Sequence, residues 1–431
     1  MTKHLDNLHL MESNGAPAIG STNRPIIFLA IVMLSVLKAA TSFSLKQHHL
    51  QNRISAVARS AVATRPLSGK STTKILDTLD LTASRLGLDP SQNRFHSPIV
   101  NHERYSFSDW PPNHTFPMDK FERISHALQT TCSQNTPGSK LPRPLVREDD
   151  DFFRPLDLEH IPTEWFESII DPDFVTRFRK GELTKEEARY IGFREQTNRP
   201  ELIERTLLEV AGTVLTSQLA YHYGIACNVA GGTHHAGPTG GAGYTILNDL
   251  AVAGNFLTNE TLNQGSVKGV KRVLVIDCDV HQGDGTAKFS TEWNSDRFST
   301  LSLHCASNYP TLKANSTYDI GLHDKCNDEE YMEALQTSVN RAMEEVKPDF
   351  VLYDAGVDVY EHDRLGRLNV TESGIRQRDR WVLDRCVSLN IPVAAVVGGG
   401  YDKDVDALAR RHAIVHEECA YVWRKYNMWN L

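Results

Sequence analysis

Residues 231–244, GGTHHAGPTGGAGY, set two histidines side by side in a glycine-rich run. On a strand, neighbouring side chains point to opposite faces. In a loop that glycine allows to bend sharply, His234 and His235 can converge on one point. A second stretch, RVLVIDCDVHQGDGT at 272–286, places Asp277, Asp279 and His281 at i, i+2 and i+4, with Asp284 following in a Gly-Asp-Gly. In extended backbone the first three share one face. A divalent metal needs several deprotonated nitrogen and oxygen donors meeting at a point. Asp279 and His281 supply two, and Asp358, closing the stretch FVLYDAGVD, supplies a third. Two carboxylates and one imidazole leave coordination positions for water and substrate. Zinc is the first expectation, and the oxygen-rich set also admits Fe(II).

A metal of this kind lowers the pKa of bound water towards ~7, so the pattern points to hydrolysis at a carbonyl. That reaction also needs a base, an acid and a donor to the developing oxyanion. The paired histidines can serve as base and acid, with Asp277 and Asp284 each orienting one imidazole. A third stretch, VVGGGY, ends on Tyr401, whose O–H can polarise the carbonyl opposite the metal.

These residues need rigid elements to aim them. ELIERTLLEVAGTVLTSQLAYHYG (201–224), EEYMEALQTSVNRAMEEVKP (329–348) and GIRQRDRWVLDRCVSLN (374–390) carry helical patterning, the first stopped by Gly224 and the second by Pro348. Short apolar runs alternate with them at 272–277, 350–356 and 392–400. Helix alternating with buried strand predicts a three-layer α-β-α domain around a mostly parallel sheet. In such sheets ligands bind beyond the carboxyl ends of the strands, where the chemical residues stand.

The chain has 431 residues and a net charge of −8. Its basic charge is uneven: residues 13–73 contain no Asp or Glu, and up to Lys74 the stretch holds eight Lys and Arg. With those eight set aside, 38 basic residues stand against 54 acidic ones. So acidic a body is poorly suited to direct nucleic-acid binding. Seven scattered cysteines with no CxxC read as reduced thiols.

The motifs GGTHHA, IDCDVHQGDGT, AGVDVYEHDRLGRL and GGGYDKD occur in the order and spacing of the zinc-dependent histone deacetylase family, and the chain resembles its members near class IV and the bacterial and plant types. FPMDKFERI at 116–124 resembles the start of that domain. The resemblance implies the arginase–deacetylase fold and hydrolysis of acyl-lysine on protein substrates, histone or non-histone. It implies metal ligation by Asp279, His281 and Asp358, with His235 as general base and His234 as its electrostatic partner or proton donor. Asp277 would orient His234, Asp284 would orient His235, and Tyr401 would serve the transition state. Gly243 and Tyr244 match the wall of the acyl-lysine tunnel. Ser302 and Leu303 match a segment that binds a structural K+. Asp284 stands where many class IV relatives have Asn, and the loop AGPTGGAG lacks the charges expected at the rim. The rim acid has no clear match; Glu195 is a candidate that also reads as a solvated surface residue. Two rival readings are a deacetylase of small acetylated amines such as polyamines and a catalytically silent acyl-lysine-binding scaffold.

Residues 26–37, IIFLAIVMLSVL, are too short for a comfortable membrane span and suit a signal core. The Ser- and Arg-rich, acid-free segment after them has the composition of a transit peptide. Residues 1–95 are therefore expected to be a targeting or disordered presequence, and 96–431 the catalytic domain. Delivery to a plastid through the secretory route is the expected location, with nucleus or cytoplasm as the alternative. No stable membrane span is expected in the mature protein.

Overall fold

The computed structural model describes residues 96–130, 144–146, 152–293 and 296–428. The presequence expected for residues 1–95 lies outside the described residues. Among those described, no helix is long and apolar enough to cross a membrane.

Seven strands form one sheet: β1 (Ile99–Val100), β2 (Ile225–Asn228), β3 (Val273–Asp277), β4 (Phe298–Cys305), β5 (Tyr318–Leu322), β6 (Phe350–Asp354) and β7 (Val393–Val396). Their spatial order is β1-β2-β7-β6-β3-β4-β5, and every pairing is parallel. The expectation of a mostly parallel sheet thus becomes a wholly parallel one. Every residue of β2, β3, β4, β6 and β7 is buried, which is why β3, β6 and β7 read as apolar runs; β4, FSTLSLHC, is buried with polar residues among its apolar ones. Only the edge strand β5 alternates between partly exposed and exposed residues.

The helices are α1 (Lys120–Thr130), α2 (Glu164–Glu167), α3 (Pro172–Lys180), α4 (Lys185–Ile191), α5 (Pro200–Tyr223), α6 (Asp249–Thr258), α7 (Asp284–Glu292), α8 (Asp328–Val346), α9 (Glu372–Ser388) and α10 (Val405–Lys425). Helices α5, α6 and α7 pack in sequence on one face of the sheet; α8, α9, α10 and α1 pack in that order on the other. This is the expected three-layer arrangement. The long helix α5 opens on Pro200 and closes on Gly224 in the left-handed conformation, as its sequence signals.

The shared-face argument for Asp277, Asp279 and His281 does not survive. β3 ends at Asp277, and the chain then curls, with the Asp279 amide donating to Asp277 Oδ1 and the His281 amide to Asp279 Oδ1. Asp277 therefore turns towards His234, while Asp279 and His281 turn towards Asp358. The side chains of this short loop have satisfied its own amides, and strand alternation stops where that begins.

Candidate active site

Four neighbouring strands, β2, β7, β6 and β3, end at one place, and the loops beyond their carboxyl ends carry all the predicted chemistry. His281 Nδ1 lies 3.0 Å from Asp279 Oδ1 and 3.1 Å from Asp358 Oδ2, and all three residues are buried. Their donor atoms fall within 4.8 Å of one another, so a single cation can reach all three. The glycine loop after β7 makes room for this. A Cβ on Gly399 would stand 2.5 Å from both Asp279 Oδ2 and Asp358 Oδ2, and the Gly399 amide donates to Asp279 Oδ2 at 2.8 Å. The charges are suited to a cation as well. Burial opposes a charge on His281, but the bonds from Asp279 and Asp358 push its pKa up to about 10. Burial and the charge of Asp279 raise Asp358 to about 6. The donor set fits zinc or Fe(II).

Next to this trio stand the tandem histidines, with ring centroids 4.2 Å apart. Each Nδ1 donates to its own carboxylate: His234 to Asp277 Oδ2 at 2.9 Å, and His235 to Asp284 Oδ1 at 2.8 Å. Both Nε2 atoms are thereby left as the working atoms. Burial works against charge on His234, yet Asp277 and Asp279 outweigh it and hold its pKa well above the ordinary value. Burial and the charge on His234 lower His235 to about 4. The two imidazoles are thus pushed in opposite directions, His234 towards its charged form and His235 towards its neutral form. Burial also opposes charge on Asp284, but His235 and Lys288, whose Nζ is 2.9 Å away, keep it ionised.

Tyr401 sits opposite, its ring centroid 6.3 Å from that of His281. Burial and the nearby charges of Asp279 and Asp358 hold its phenol protonated. Gly243 and Tyr244 form the wall beside His235. Gly243 has φ +53, and a Cβ there would meet His235 Cδ2 at 2.5 Å, so only glycine leaves the imidazole its place. The Tyr244 ring stacks on Phe193, with centroids 5.7 Å apart and planes at 28°, and its amide donates to the Ile191 carbonyl at the end of α4. A cavity lined by His234, His235, Gly243, Tyr244, Asp279 and Tyr401 joins these groups.

The sequence of residues 114–417 matches the model of the histone deacetylase domain. The chain belongs to the histone deacetylase family. Over 327 residues it is 39% identical to an uncharacterized protein of a Picosynechococcus species, covering 76% of this chain and 99% of that one. It is 30% identical to histone deacetylase 2 of Arabidopsis thaliana over 199 residues, 45% of this chain and 49% of the relative. It is 27% identical to the acetoin utilization protein AcuC of Staphylococcus aureus over 242 residues, 52% and 59% of the two chains. The chain therefore spans about half the length of those two relatives and nearly all of the first. Among solved structures, the HDA15 HD domain (TM-score 0.56, 74% of this chain and 88% of that one) and an HDAC homolog complexed with SAHA (0.57, 76% and 84%) share the fold at 20% identity. The fold is that of the arginase–deacetylase superfamily, and the family's chemistry is deacetylation, the hydrolysis of an amide.

Several groups that build this deacetylase site carry no signal in the sequence. Asp249, at the start of α6, anchors the histidine loop: it accepts from the Gly232 and Thr233 amides at 3.1 and 2.7 Å and from the Thr213 and Thr233 hydroxyls. Asn248, beside it, donates to the Ala236 carbonyl. Asp363 holds Tyr401 by its backbone amide at 2.7 Å and also accepts from the Leu365 and Gly366 amides. Asp354, ending β6, stands 3.8 Å from His234 Nδ1 with neither carboxyl oxygen hydrogen-bonded in the protein, and burial raises its pKa well above the ordinary value. Lys120 is buried in the lining of the cavity, its Nζ 3.0 Å from the Gly398 carbonyl. Burial and the charge of Arg205 lower it to about 8. Tyr309, partly exposed, meets the His235 ring edge-on at 4.9 Å. Ser302, in β4, is the register partner of Asp277, with Leu303 next to it. His304 is a bonded core histidine, 3.1 Å from Ser302 Oγ. Glu195 is exposed on a short turn at Arg194–Gln196.

Proposed function

We propose that this chain hydrolyses the amide of N-ε-acyl-lysine on protein substrates, with zinc held by Asp279, His281 and Asp358. The observation that carries this reading is the pair of imidazoles, each fixed by its own carboxylate, lining one cavity with Tyr401 and with Asp279, a member of the ligand trio. A binder of acyl-lysine has no use for two such imidazoles. When bound, a divalent ion supplies Lewis acidity, polarising a carbonyl oxygen and acidifying a water; Fe(II) fits the same donors. His235, neutral and oriented by Asp284, takes the proton of the attacking water. Tyr401 donates its O–H to the carbonyl oxygen as negative charge develops there. His234 keeps its positive charge beside the developing anion, held by Asp277. An imidazolium of the pair then hands a proton to the departing lysine amine. Gly243 and Tyr244 hold the substrate's alkyl stem between the wall and the base. A potassium ion beside Asp277, Ser302 and Leu303 would serve structure only.

A substrate panel tests the reading: acetyl-, butyryl- and myristoyl-lysine peptides and acetylpolyamines, each assayed for release of the free amine. Turnover of the lysine peptides supports the proposal. Turnover of acetylpolyamines alone would move the substrate to small amines, and binding of the peptides without turnover would make the chain a reader.

A further inference from the structure

Among the described residues, three groups of side chains bring metal-ligating atoms together. Two belong to the active site. The third, His323, Cys326 and Glu330, lies where the connection from β5 enters the first turn of α8 and takes no part in the chemistry above. Its spacing is His-x-x-Cys-x-x-x-Glu, and its donor atoms fall within 4.8 Å of one another. His323 Nε2 stands 3.3 Å from Glu330 Oε1. Two donors each ~2.0–2.1 Å from a tetrahedral zinc ion stand ~3.3 Å apart, so this pair already has the spacing of two ligands.

The surroundings hold the site without using it up. Glu330 gives its other oxygen, Oε2, to the Asn327 amide in the capping box that opens α8, which fixes the carboxylate and leaves Oε1 to face His323. Cys326 is buried and the capping box holds Glu330, while His323 is the most exposed of the three, so the imidazole is the member that can close on the other two. Next to them a further thiol and carboxylate meet, Cys305 Sγ lying 3.4 Å from Asp324 Oδ1. The loop is also tied to the segment after Asp358: the Lys325 amide donates to the Arg367 carbonyl, and the Asn369 amide to the Cys326 carbonyl.

We propose that His323, Cys326 and Glu330 form a second metal site, of zinc type, that clamps the β5–α8 connection. Thiolate, imidazole and carboxylate together select zinc or cobalt over the hard cations magnesium and calcium. Three protein ligands and one water complete a tetrahedron. Metal entry expels the thiol proton, so affinity rises with pH.

Cobalt is the probe, because the active-site trio contains no sulfur. The metal-free full chain is titrated with Co2+, and the near-ultraviolet thiolate-to-cobalt absorption is read. The band is expected in the wild type and in Asp279→Ala, and is expected to vanish in Cys326→Ser. His323→Ala, a change at an exposed position, is expected to weaken the cobalt affinity read from the band by at least the roughly 10-fold that losing even a supporting residue costs a metal site. Absence of the band from the wild type, its survival in Cys326→Ser, or unchanged affinity in His323→Ala would each overturn the site, and none of these outcomes touches the deacetylase reading.

Discussion

At the scale of single residues, the site works by giving like groups unlike surroundings. His234 and His235 are adjacent and both buried, yet one sits among Asp277, Asp279 and Asp354 while the other has Asp284 and a charged neighbour. On the proposed mechanism, losing His235 removes the base, whereas losing His234 removes only a charge beside it. On a peptide with an activated leaving group, His235→Ala should therefore be the more damaging change, and the reverse ranking of kcat would exchange the two roles. Tyr401→Phe removes one donor to the oxyanion and should lower kcat by roughly 10²–10³ with KM little changed; wild-type turnover in that variant would take the phenol out of the mechanism. These residues were legible in the sequence because they combine in ways a solvated loop has no reason to reproduce: paired histidines between glycines, and Asp-x-Asp-x-His at the end of an apolar run. Asp249, Asp354 and Asp363 were not. A single Asp in a loop or at a helix start has the same appearance whether it faces water or anchors a catalytic loop, and the partners that decide between these lie far along the chain, as Asp363 does from Tyr401.

At the scale of elements, the tunnel wall depends on a short helix remote from the chemistry. Helix α4 ends at Ile191, whose carbonyl receives the Tyr244 amide at 2.7 Å. Its start is fixed by Glu187, which closes a capping box with Thr184 and takes both arms of the Arg177 fork at 2.7 and 2.9 Å. Those bonds lower Glu187 from its ordinary 4.5 to about 2. A carboxylate whose folded pKa is depressed stabilises fully above its unfolded pKa and loses the contribution as pH falls through the folded one. Glu187→Gln should therefore destabilise by about 0.5–1 kcal/mol at neutral pH, the pair being near the surface and screened, and the difference from the wild type should fade between pH 4.5 and 2. Denaturant midpoints measured along that range check it; a difference independent of pH would mean that the charge plays no part. Helices α5, α8 and α9 and strands β3, β6 and β7 were readable in advance, the strands because the parallel sheet buries both faces and so writes them as apolar runs. The curl after β3 was not readable, because side chains bonding to their own loop amides leave no periodic trace.

At the scale of the whole molecule, four adjacent strand ends gather the site, and the two helical layers bury the sheet that aims them. The fold class was legible from the alternation of helix and strand. The wholly parallel pairing and the order of strands rest on contacts between distant segments that no local pattern encodes. The acid-free basic segment ahead of the described domain bears on where the enzyme meets its substrate. Organelle delivery is our proposal, and a fluorescent fusion of residues 1–95 should accumulate in a plastid; diffuse cytosolic or nuclear fluorescence would contradict it and leave the site unchanged. We propose a metal-dependent lysine deacetylase that uses Asp279, His281 and Asp358. The most direct measurement is acetate release from an acetyl-lysine peptide by the full chain as purified, after chelation, and after zinc is restored, with Asp358→Ala beside it. Turnover is expected to disappear on chelation, to return with zinc, and to be absent from Asp358→Ala throughout. Turnover that survives both chelation and the substitution, or a zinc-restored wild type that releases no acetate, would contradict the proposal.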